Sequence, residues 1–533
     1  MKKQSTGRGF AYLSIAELLV KIMSVIYVPF LVAILGEEGH GIYAVSYEAF
    51  ALIYVLTNEG IQRGVAKLVA ELHAKDNPRD ALKAFRLART LLIFGGLIAS
   101  LLLFFMAPYI ARAQKTAEAT LSIQALAPTV LITAVLSAYR GYFLGRSFIT
   151  ANAVSKVVEQ IVNVAVSLVA AFFLMKVGLV FGVTGGTFGT SVGALVAVAL
   201  LVHEFRKGKL YKVRKKDQDL ETYHYTSKEL IQRLLSYSFP ITLTAGVMHL
   251  GGIIDTFIFK NRLISIGFTE VMANIGYSTL VRYKSLLLVP NTIIVSLAAV
   301  ILPGISRANA LQDKKDMQEK ISYAVKMVFT VALPSFVGLS ILAEPIYHLL
   351  YPGKSGYEMF WLGSITVVFL GFIQIQNSLY QGVGKFYWGT FSMVVGILVR
   401  ILLNYIFVGI PEVNILGGVV SHMANFIVPF IINHILITRV LKYPMPLLKN
   451  AWKPFLASLG MGIVLFVLNL GLSFIEVRYI FSAALTGIIV VIGILVYGVL
   501  ILVLGGISKK DLTDISPRLY RMLPSSVRSR MRA

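Results

Sequence analysis

The sequence contains no cysteine among its 533 residues. Disulfide bonds, thiolate nucleophiles and cysteine-ligated metals are therefore excluded. Charged residues are also scarce, at 14% of the chain, whereas a soluble protein of this length would fold into several domains with charged surfaces. Acidic residues are the scarcer sign, with 26 Asp and Glu against 50 Lys and Arg, which gives a formal net charge of +24.

Hydrophobic residues make up 56% of the chain, and apolar blocks of about 20 residues recur along most of it. This pattern predicts an all-α polytopic membrane protein with about fourteen transmembrane helices. The first apolar segment is long and no small-residue cleavage site follows it, so we expect no cleavable signal peptide. The predicted spans are 10–34, 42–62, 90–108, 121–144, 152–175, 180–202, 234–259, 272–302, 321–343, 358–382, 387–408, 415–438, 452–474 and 479–504.

The basic residues predict the orientation of these spans. If the N-terminus is cytoplasmic, 37 Lys and Arg fall in cytoplasmic segments, seven fall in outer segments and six lie within spans. Cytoplasmic segments of membrane proteins are enriched in Lys and Arg, so both termini are predicted to be cytoplasmic. The same bias explains the positive net charge, and no nucleic-acid partner is expected.

The most polar stretch predicts the domain organisation. Residues 204–230, with RKGKLYKVRKKDQD at their centre, are predicted to form a cytoplasmic linker, because they lack the periodicity and hydrophobicity of a folded domain. The linker would separate an N-lobe of spans 1–6, residues 1–203, from a C-lobe of spans 7–12, residues 231–445. Residues 446–505 would contain spans 13 and 14, and residues 506–533 would form a basic cytoplasmic tail.

Internal similarity supports two pseudo-symmetric six-helix lobes. RGYFLGRSFITANAVSKVVEQIVNV, around the start of span 5, is similar to QGVGKFYWGTFSMVVGILVRILLNY, around the start of span 11. Asn163 and Asn404 occupy corresponding places, and Glu159 and Arg400 stand four residues before them. Parallel repeats of this kind are a transporter architecture with the substrate site between the halves, so we hypothesise that Glu159 and Arg400 face each other there.

Charged residues inside the spans are candidates for a functional site, because a charge at membrane depth costs several kcal/mol unless it faces protein or water. Glu17 and Lys21 share one face of span 1, so they can pair locally or line a cavity. Lys156 and Glu159 are three residues apart on span 5 and form a second candidate for a local pair.

Span 8 combines charge and proline in one apolar stretch. Arg282 and Lys284 lie near its start, Pro290 lies inside it, and Pro303 is predicted to close it. Either these bases face a wet, electronegative or anion-holding space, or both side chains snorkel to the headgroups.

Three further patterns predict local structure. Arg63–Arg86 predicts an amphipathic surface helix with Val65 and Leu72 on its apolar face. The glycine-rich run GVTGGTFGTSVGA in span 6 suits close helix packing and lacks the strand–turn–helix context of a nucleotide-binding loop. Asp255, near the outer end of span 7 and close to Lys260 and Arg262, is expected to form a surface ion pair.

Five motifs, in order along the chain, resemble those of a known transporter family. They are KIMSVIYVPFLVAILGEEGHGIY, NEGIQRGVAKLVAE, FPITLTAGVMHLGGIIDTFIFKNRL, VPNTIIVSLAAVILPGISRANA and LYQGVGK. The chain resembles the flippases of lipid-linked saccharides, in the polysaccharide-transport, stage V sporulation protein B and MurJ-type branches of the multidrug/oligosaccharidyl-lipid/polysaccharide superfamily. It departs from the MurJ-type pattern, in which an Arg-Asp dipeptide stands where this chain has Tyr27 and Val28. This difference favours the sporulation or polysaccharide branch over the MurJ-type branch.

The resemblance implies a function. A polyprenyl-pyrophosphate-linked saccharide, either lipid II or a related cell-wall or polysaccharide intermediate, would move from the inner to the outer leaflet by alternating access of two lobes. The protein would lie in a bacterial or archaeal plasma membrane among membrane lipids, with cell-wall synthesis proteins as further expected partners. No cofactor is expected, and Na⁺, H⁺ or the membrane potential would drive transport.

The candidate cavity residues follow from the spans and the repeat, and the bases among them suit a pyrophosphate. They are Arg282, Lys284, Lys21, Glu17, Arg400, Glu159, Asn163 and Asn404.

Three other functions are weighed against a flippase: an antiporter, a membrane enzyme and a non-transporting scaffold. A multidrug or cation antiporter would favour acidic rather than basic cavity residues. A membrane glycan polymerase, the less favoured enzyme, would need catalytic groups on large outer loops, but the predicted outer loops are short and the eight histidines show no HExxH spacing. We therefore expect no enzyme activity, no catalytic residues and no metal ligands; a non-transporting scaffold would leave the intramembrane bases unexplained.

The orientation can be tested because the native chain adds no cysteine background. A cysteine placed in the segment Arg206–Lys216 should resist an impermeant thiol reagent in intact cells, because that segment is predicted to be cytoplasmic. A cysteine placed near Glu37 should react with the same reagent. The reverse labelling pattern would overturn the predicted orientation.

Overall fold

The structure is a computed structural model that describes residues 6–210, 224–473 and 479–507. The predicted tail lies outside the described residues from position 508 onward, and half of the predicted linker falls in the gap 211–223. The regular structure in the described ranges is helical, which confirms the all-α class. Its helices are α1 Thr6–Thr57, α2 Glu59–Ala74, α3 Pro78–Ala113, α4 Ala119–Gly145, α5 Ile149–Met175, α6 Leu179–Lys207, α7 Ser227–Ser265, α8 Glu270–Ala310, α9 Lys314–Ile341, α10 Ala343–Leu350, α11 Tyr357–Gly363, α12 Thr366–Gly382, α13 Phe386–Phe407, α14 Ile415–Ile435 with a π-helical turn Leu436–Val440, α15 Leu447–Ser473 and α16 Tyr479–Val503.

The described helices make this chain a multi-pass membrane protein. In the described ranges, eleven helical segments are long and apolar enough to cross a bilayer. The number rises to twelve if α11 and α12, which are bent by 47° relative to each other, together form one broken span. α1 is interrupted at Gly36 (φ 74°, ψ 177°) and covers the first two predicted spans, while α7 covers the seventh. α8 continues to Ala310, so Pro303 does not end it as predicted.

The chain divides into two compact units, and the division falls inside α8. The first unit comprises Met1–Arg282 together with Asn404–Ile415, and the second comprises Tyr283–Leu403 together with Leu416–Ala533. The sequence predicts a boundary at the linker instead, so the six-helix lobes stay a prediction.

In the first unit, glycines on one face of α6 allow its backbone to lie against that of α5. A Cβ atom on Gly185 would lie 2.7 Å from the backbone of Ala170, and one on Gly193 would lie 2.6 Å from the carbonyl oxygen of Glu159. Between them, a Cβ atom on Gly189 would also overlap α5. The spacing of four residues places all three glycines on one helix face, so the close packing predicted for this run is confirmed.

The predicted amphipathic surface helix is shorter and more deeply packed than expected. α2 ends at Ala74, and α3 begins at Pro78 after the side chain of Asn77 accepts a hydrogen bond from the Asp80 amide. The apolar face of α2, including Leu72, is fully buried in a core with residues of α3, α4 and α6. Hydrophobic periodicity identifies an apolar face but does not distinguish lipid headgroups from protein as its cover.

The α5–α6 contact can be tested with a matched pair of glycine substitutions. Gly189→Ala should lower the thermal unfolding midpoint of the detergent-solubilised protein, because overpacking costs about 1–3 kcal/mol. Gly95→Ala is the control, since a Cβ atom there meets nothing within 4 Å and alanine is the better helix former. Equal midpoints for the two variants would contradict the packing described here.

Candidate functional site

The first unit encloses a charged pair at the start of α8. Arg282 is fully buried and is the largest such side chain in the described residues. Its guanidinium forms an ion pair with the carboxylate of Glu37 and donates a hydrogen bond to Thr279 Oγ1 at 2.8 Å. Thr279 lies one turn before Arg282 on the same helix, so α8 itself orients the guanidinium toward Glu37.

The backbone break in α1 places Glu37. Gly36 has a positive φ of 74°, a conformation that side-chain-bearing residues rarely adopt, and Glu37 is the next residue. Glu37 therefore opens the second helical half of α1, where backbone N–H groups favour a negative charge. Its side chain is only 19% exposed, which keeps the carboxylate largely out of solvent.

Two further contacts fix the same part of α1 against α8. His40 Nδ1 and Ser278 Oγ lie 2.9 Å apart in a buried hydrogen bond. A Cβ atom on Gly41 would collide with the backbone of Asn274, so the two helices approach each other closely at this level. The Arg282–Glu37 ion pair is therefore part of a packed α1–α8 contact.

This contact supplies, at Arg282, the electronegative surroundings that were one of the predictions for the bases of span 8. A buried base needs a compensating negative charge, and here a carboxylate of the protein supplies it. The guanidinium of Arg282 is fully buried, so an anionic ligand that bound it would compete with Glu37. Such an exchange keeps the guanidinium paired, whereas loss of Glu37 without a replacement would leave a buried charge uncompensated, at a cost of about 3–5 kcal/mol.

The other base of span 8 belongs to the second unit. Lys284 and Arg400 are both half-buried, and the charges of both act on the buried side chain of His422. His422 Nδ1 lies 3.2 Å from the hydroxyl of Tyr283, which also lies 3.2 Å from Thr366 Oγ1. Lys284 and Arg400 thus lie near one polar cluster inside the second unit.

The local ion pairs considered as one alternative on spans 1 and 5 do not form among the described residues, because both acidic residues pair with other helices. Glu17 pairs with Lys156 at 2.9 Å, and Lys21 is exposed. Glu159 pairs with Arg140 of α4 at 2.6 Å. Neighbouring helices offer closer partners than the next turn of the same helix, which spacing along one helix cannot reveal.

The Arg140–Glu159 pair also bears on the hypothesis that Glu159 faces Arg400. Arg140 is almost fully buried and donates to Ser155 Oγ at 3.2 Å as well as to Glu159. The carboxylate of Glu159 therefore has a cationic partner within the first unit. The pairing with Arg400 stays a prediction.

The two asparagines at corresponding repeat positions have different surroundings. Asn163 Oδ1 accepts hydrogen bonds from Ser167 at 3.1 Å and Thr190 at 3.4 Å. Asn404 Nδ2 donates to Asp255, at 2.6 Å to Oδ1 and 3.2 Å to the backbone oxygen. Asp255 is 2% exposed, so the expected surface ion pair is wrong.

Known proteins with similar sequences identify the family. Residues 6–309 match the family described as polysaccharide biosynthesis protein. The chain belongs to this family. Among its relatives, lipid II flippase MurJ of Bacillus subtilis is 23% identical over 96% of this chain and 98% of that protein. Stage V sporulation protein B of Bacillus subtilis is 24% identical over 83% of this chain and 85% of that protein.

Solved structures show the same fold. An inward closed structure of lipid II flippase MurJ has a TM-score of 0.67 at 17% identity and covers 92% of this chain and 97% of its own. An inward-facing multidrug resistance MATE transporter of the MOP superfamily has a TM-score of 0.64 at 16% identity, covering 79% of this chain and 96% of its own. Both similarities show that this chain shares the fold of these two transporters.

This member of the polysaccharide biosynthesis protein family contains a buried base that sequence reasoning placed at the surface. The ammonium of Lys260 is fully buried and contacts Thr116 Oγ1, Asn274 Oδ1 at 2.5 Å and the carbonyl oxygen of Lys115 at 3.2 Å. It joins the α3–α4 turn to α7 and α8. Only the apolar residues near Lys260, Ile258 and Phe259 before it and Leu263 and Ile264 after it, could have suggested burial. Its partner Thr116 lies 144 residues away.

Proposed function

We propose that this protein moves a polyprenyl-pyrophosphate-linked saccharide from the inner to the outer leaflet by alternating access. The observation that supports this most directly is the buried guanidinium of Arg282, held by the carboxylate of Glu37. A guanidinium presents forked donors that suit phosphate oxygens. The lipid II flippase among the relatives and the chain's own family support a lipid-linked saccharide as the cargo.

In the proposed cycle, Glu37 acts as an internal substitute for the substrate anion. Without substrate, its carboxylate neutralises Arg282 and keeps the kinked part of α1 against α8. When a pyrophosphate arrives, it competes with Glu37 for the guanidinium, and the released carboxylate allows the α1–α8 contact to open. Ligand binding can drive a conformational change in this way because the two states differ in their contacts with the ligand.

The remaining candidate residues have supporting roles in this proposal. Lys284 and Arg400, half-buried in the second unit, would attract the charged headgroup. Lys21, exposed near the Glu17–Lys156 pair, would do so from the first unit. The saccharide would be lipid II or a related cell-wall, polysaccharide or sporulation intermediate.

Coupling to an ion is a second part of the proposal. Asp255 is a buried carboxylate that accepts a hydrogen bond from Asn404. Intramembrane carboxylates commonly bind protons or cations in transporters. We place the coupling by Na⁺ or H⁺ at Asp255, in a plasma-membrane protein with cytoplasmic termini that performs no covalent chemistry.

A multidrug or cation antiporter is the alternative function. The MATE fold and the buried Asp255 favour it, whereas a fully buried arginine favours an anionic cargo. The two functions differ in the charge of the cargo, so transport assays can separate them.

The central role of Arg282 can be tested by flipping of undecaprenyl-pyrophosphate disaccharide in proteoliposomes. Arg282→Ala should reduce the rate roughly 10- to 100-fold, because a hydrogen bond to a charged group contributes about 1.5–3 kcal/mol. Arg282→Lys should be intermediate, since it keeps the charge and loses the forked geometry. Lys284→Ala should have a mild effect.

The controls are insertion into the membrane and thermal stability, which show whether the variants fold. Normal flipping by a folded Arg282→Ala variant would contradict the proposed role of this residue. Export of a cationic dye by the wild-type protein, without flipping of the pyrophosphate lipid, would favour the antiporter.

A further inference from the structure

A groove of about 360 Å³ lies between α3, α4 and α6, within the first unit. This volume falls within the range of small-molecule sites in proteins, roughly 300–1,000 Å³. The groove has polar as well as apolar surface, because two arginines contribute to it. It is lined by Arg89, Tyr139, Val202, Phe205 and Arg206.

Aromatic side chains hold one of these arginines in place. The guanidinium of Arg89 donates a hydrogen bond to the hydroxyl of Tyr139 at 3.3 Å, and its central carbon lies 5.7 Å from the ring centre of Phe85. The rings of Phe85, Tyr139 and Phe205 pack against one another with centres 5.2–5.7 Å apart and form an aromatic floor. A guanidinium has five N–H donors, so most of those on Arg89 stay available to a ligand in the groove.

The two arginines give the groove a positive charge. Among the described residues, neither Arg89 nor Arg206 forms an ion pair with a carboxylate, and Arg206 is exposed. The nearest acidic residue along α6 is Glu204, and residues two positions apart lie about 200° apart around a helix. Arginine stays charged and its forked donors match phosphate oxygens, so the groove suits an anionic phosphate.

The exposed side chains of α3 and α6 change from apolar to polar at the groove. On α3, the exposed large apolar side chains begin at Leu91, directly after the exposed Thr90. On α6, they end at Val196, and the exposed polar side chains begin at His203. Apolar side chains face the acyl chains of a bilayer and charged ones reach its headgroups, so the groove lies at the level of the headgroups.

Each arginine continues into an accessible apolar strip on its own helix, because residues three or four positions apart share a helix face. Three short turns separate α3 from α6, so the two helices run in opposite directions. Both strips therefore lead away from the groove toward the apolar surface. They consist of Arg206, Val202, Ala199 and Leu195 on α6, and of Arg89, Ile93 and Leu97 on α3.

We propose that this groove binds the phosphate of one anionic phospholipid. The phosphate would lie between Arg89 and Arg206, above the aromatic floor, and an acyl chain would follow the two strips into the membrane. A soluble phosphate would use the bases and leave the strips without a role. The orientation predicted from the basic residues assigns this lipid to the cytoplasmic leaflet. Its binding is independent of the flipping proposed above, because it uses neither Arg282 nor Glu37.

The proposal can be tested by native mass spectrometry of the full chain in detergent, titrated with phosphatidylglycerol or phosphatidylcholine of identical acyl chains. The wild type should retain one phosphatidylglycerol in preference to phosphatidylcholine. Arg206→Gln should lower this preference about fivefold, and the addition of Arg89→Gln should lower it by about the same factor again. Val202→Trp should abolish retention, because an indole at this half-buried position would fill the groove.

The matched control is Lys314→Gln with Lys315→Gln, which removes two exposed bases that do not line the groove and should leave the preference intact. Arg89→Lys separates charge from geometry. It keeps the charge and loses the forked donors, so its preference should lie between those of the wild type and Arg89→Gln. Thermal unfolding shows which variants fold, and the exposed position of Arg206 allows the test even if Val202→Trp does not.

An unchanged preference in a folded variant without the two arginines would overturn the proposal, and so would an equal loss in the lysine control. Displacement of phosphatidylglycerol by an excess of inorganic phosphate would instead assign the groove to a soluble phosphate. Displacement by equimolar undecaprenyl pyrophosphate would assign it to the transported lipid. Retention that appears only after Asp217→Asn, Asp219→Asn and Glu221→Gln are combined would assign it to the linker.

Discussion

A buried arginine in a membrane protein must be neutralised, and the ion pair between Arg282 and Glu37 meets this requirement. The ion pair holds two backbone segments together as well as the two side chains. It joins the backbone break at Gly36 to the start of α8, and the His40–Ser278 hydrogen bond continues the same contact. The chain also divides into its two compact units immediately after Arg282.

The two kinds of helix contact in the first unit have different consequences for motion. The α5–α6 contact depends on glycines that bring two backbones together, and such close packing is disrupted by even one added methyl group. The α1–α8 contact includes an ion pair, and in the proposed cycle an incoming anion competes with Glu37 for its guanidinium. A transporter needs both kinds of contact. Close packing keeps groups of helices rigid, and a contact that a ligand can open allows those groups to move against each other.

The sequence was sufficient to predict the helical membrane fold, because apolar blocks long enough to cross a bilayer admit few other structures. It also identified Arg282 as exceptional from its position in an apolar span. It could not identify Glu37 as the partner, because the two residues are 245 positions apart and Glu37 was expected near an outer loop.

The errors have a common cause. Spacing along one helix suggested the pairs Glu17–Lys21 and Lys156–Glu159, whereas the structure pairs Glu17 with Lys156 across two helices. Burial of Asp255 was missed for the same reason, because its partner Asn404 lies 149 residues away. Helix periodicity reports which residues share a face, and only tertiary packing determines what that face meets.

Competition between Glu37 and the substrate for Arg282 is the central claim of this account. Its most direct test is the affinity of undecaprenyl pyrophosphate for the Glu37→Gln variant, with Glu38→Gln as the control. Removing the competing charge should tighten binding to Glu37→Gln by about tenfold, since a hydrogen bond to a charged group contributes about 1.5–3 kcal/mol, and should leave Glu38→Gln unchanged. Unchanged or weaker binding by folded Glu37→Gln would contradict the claim.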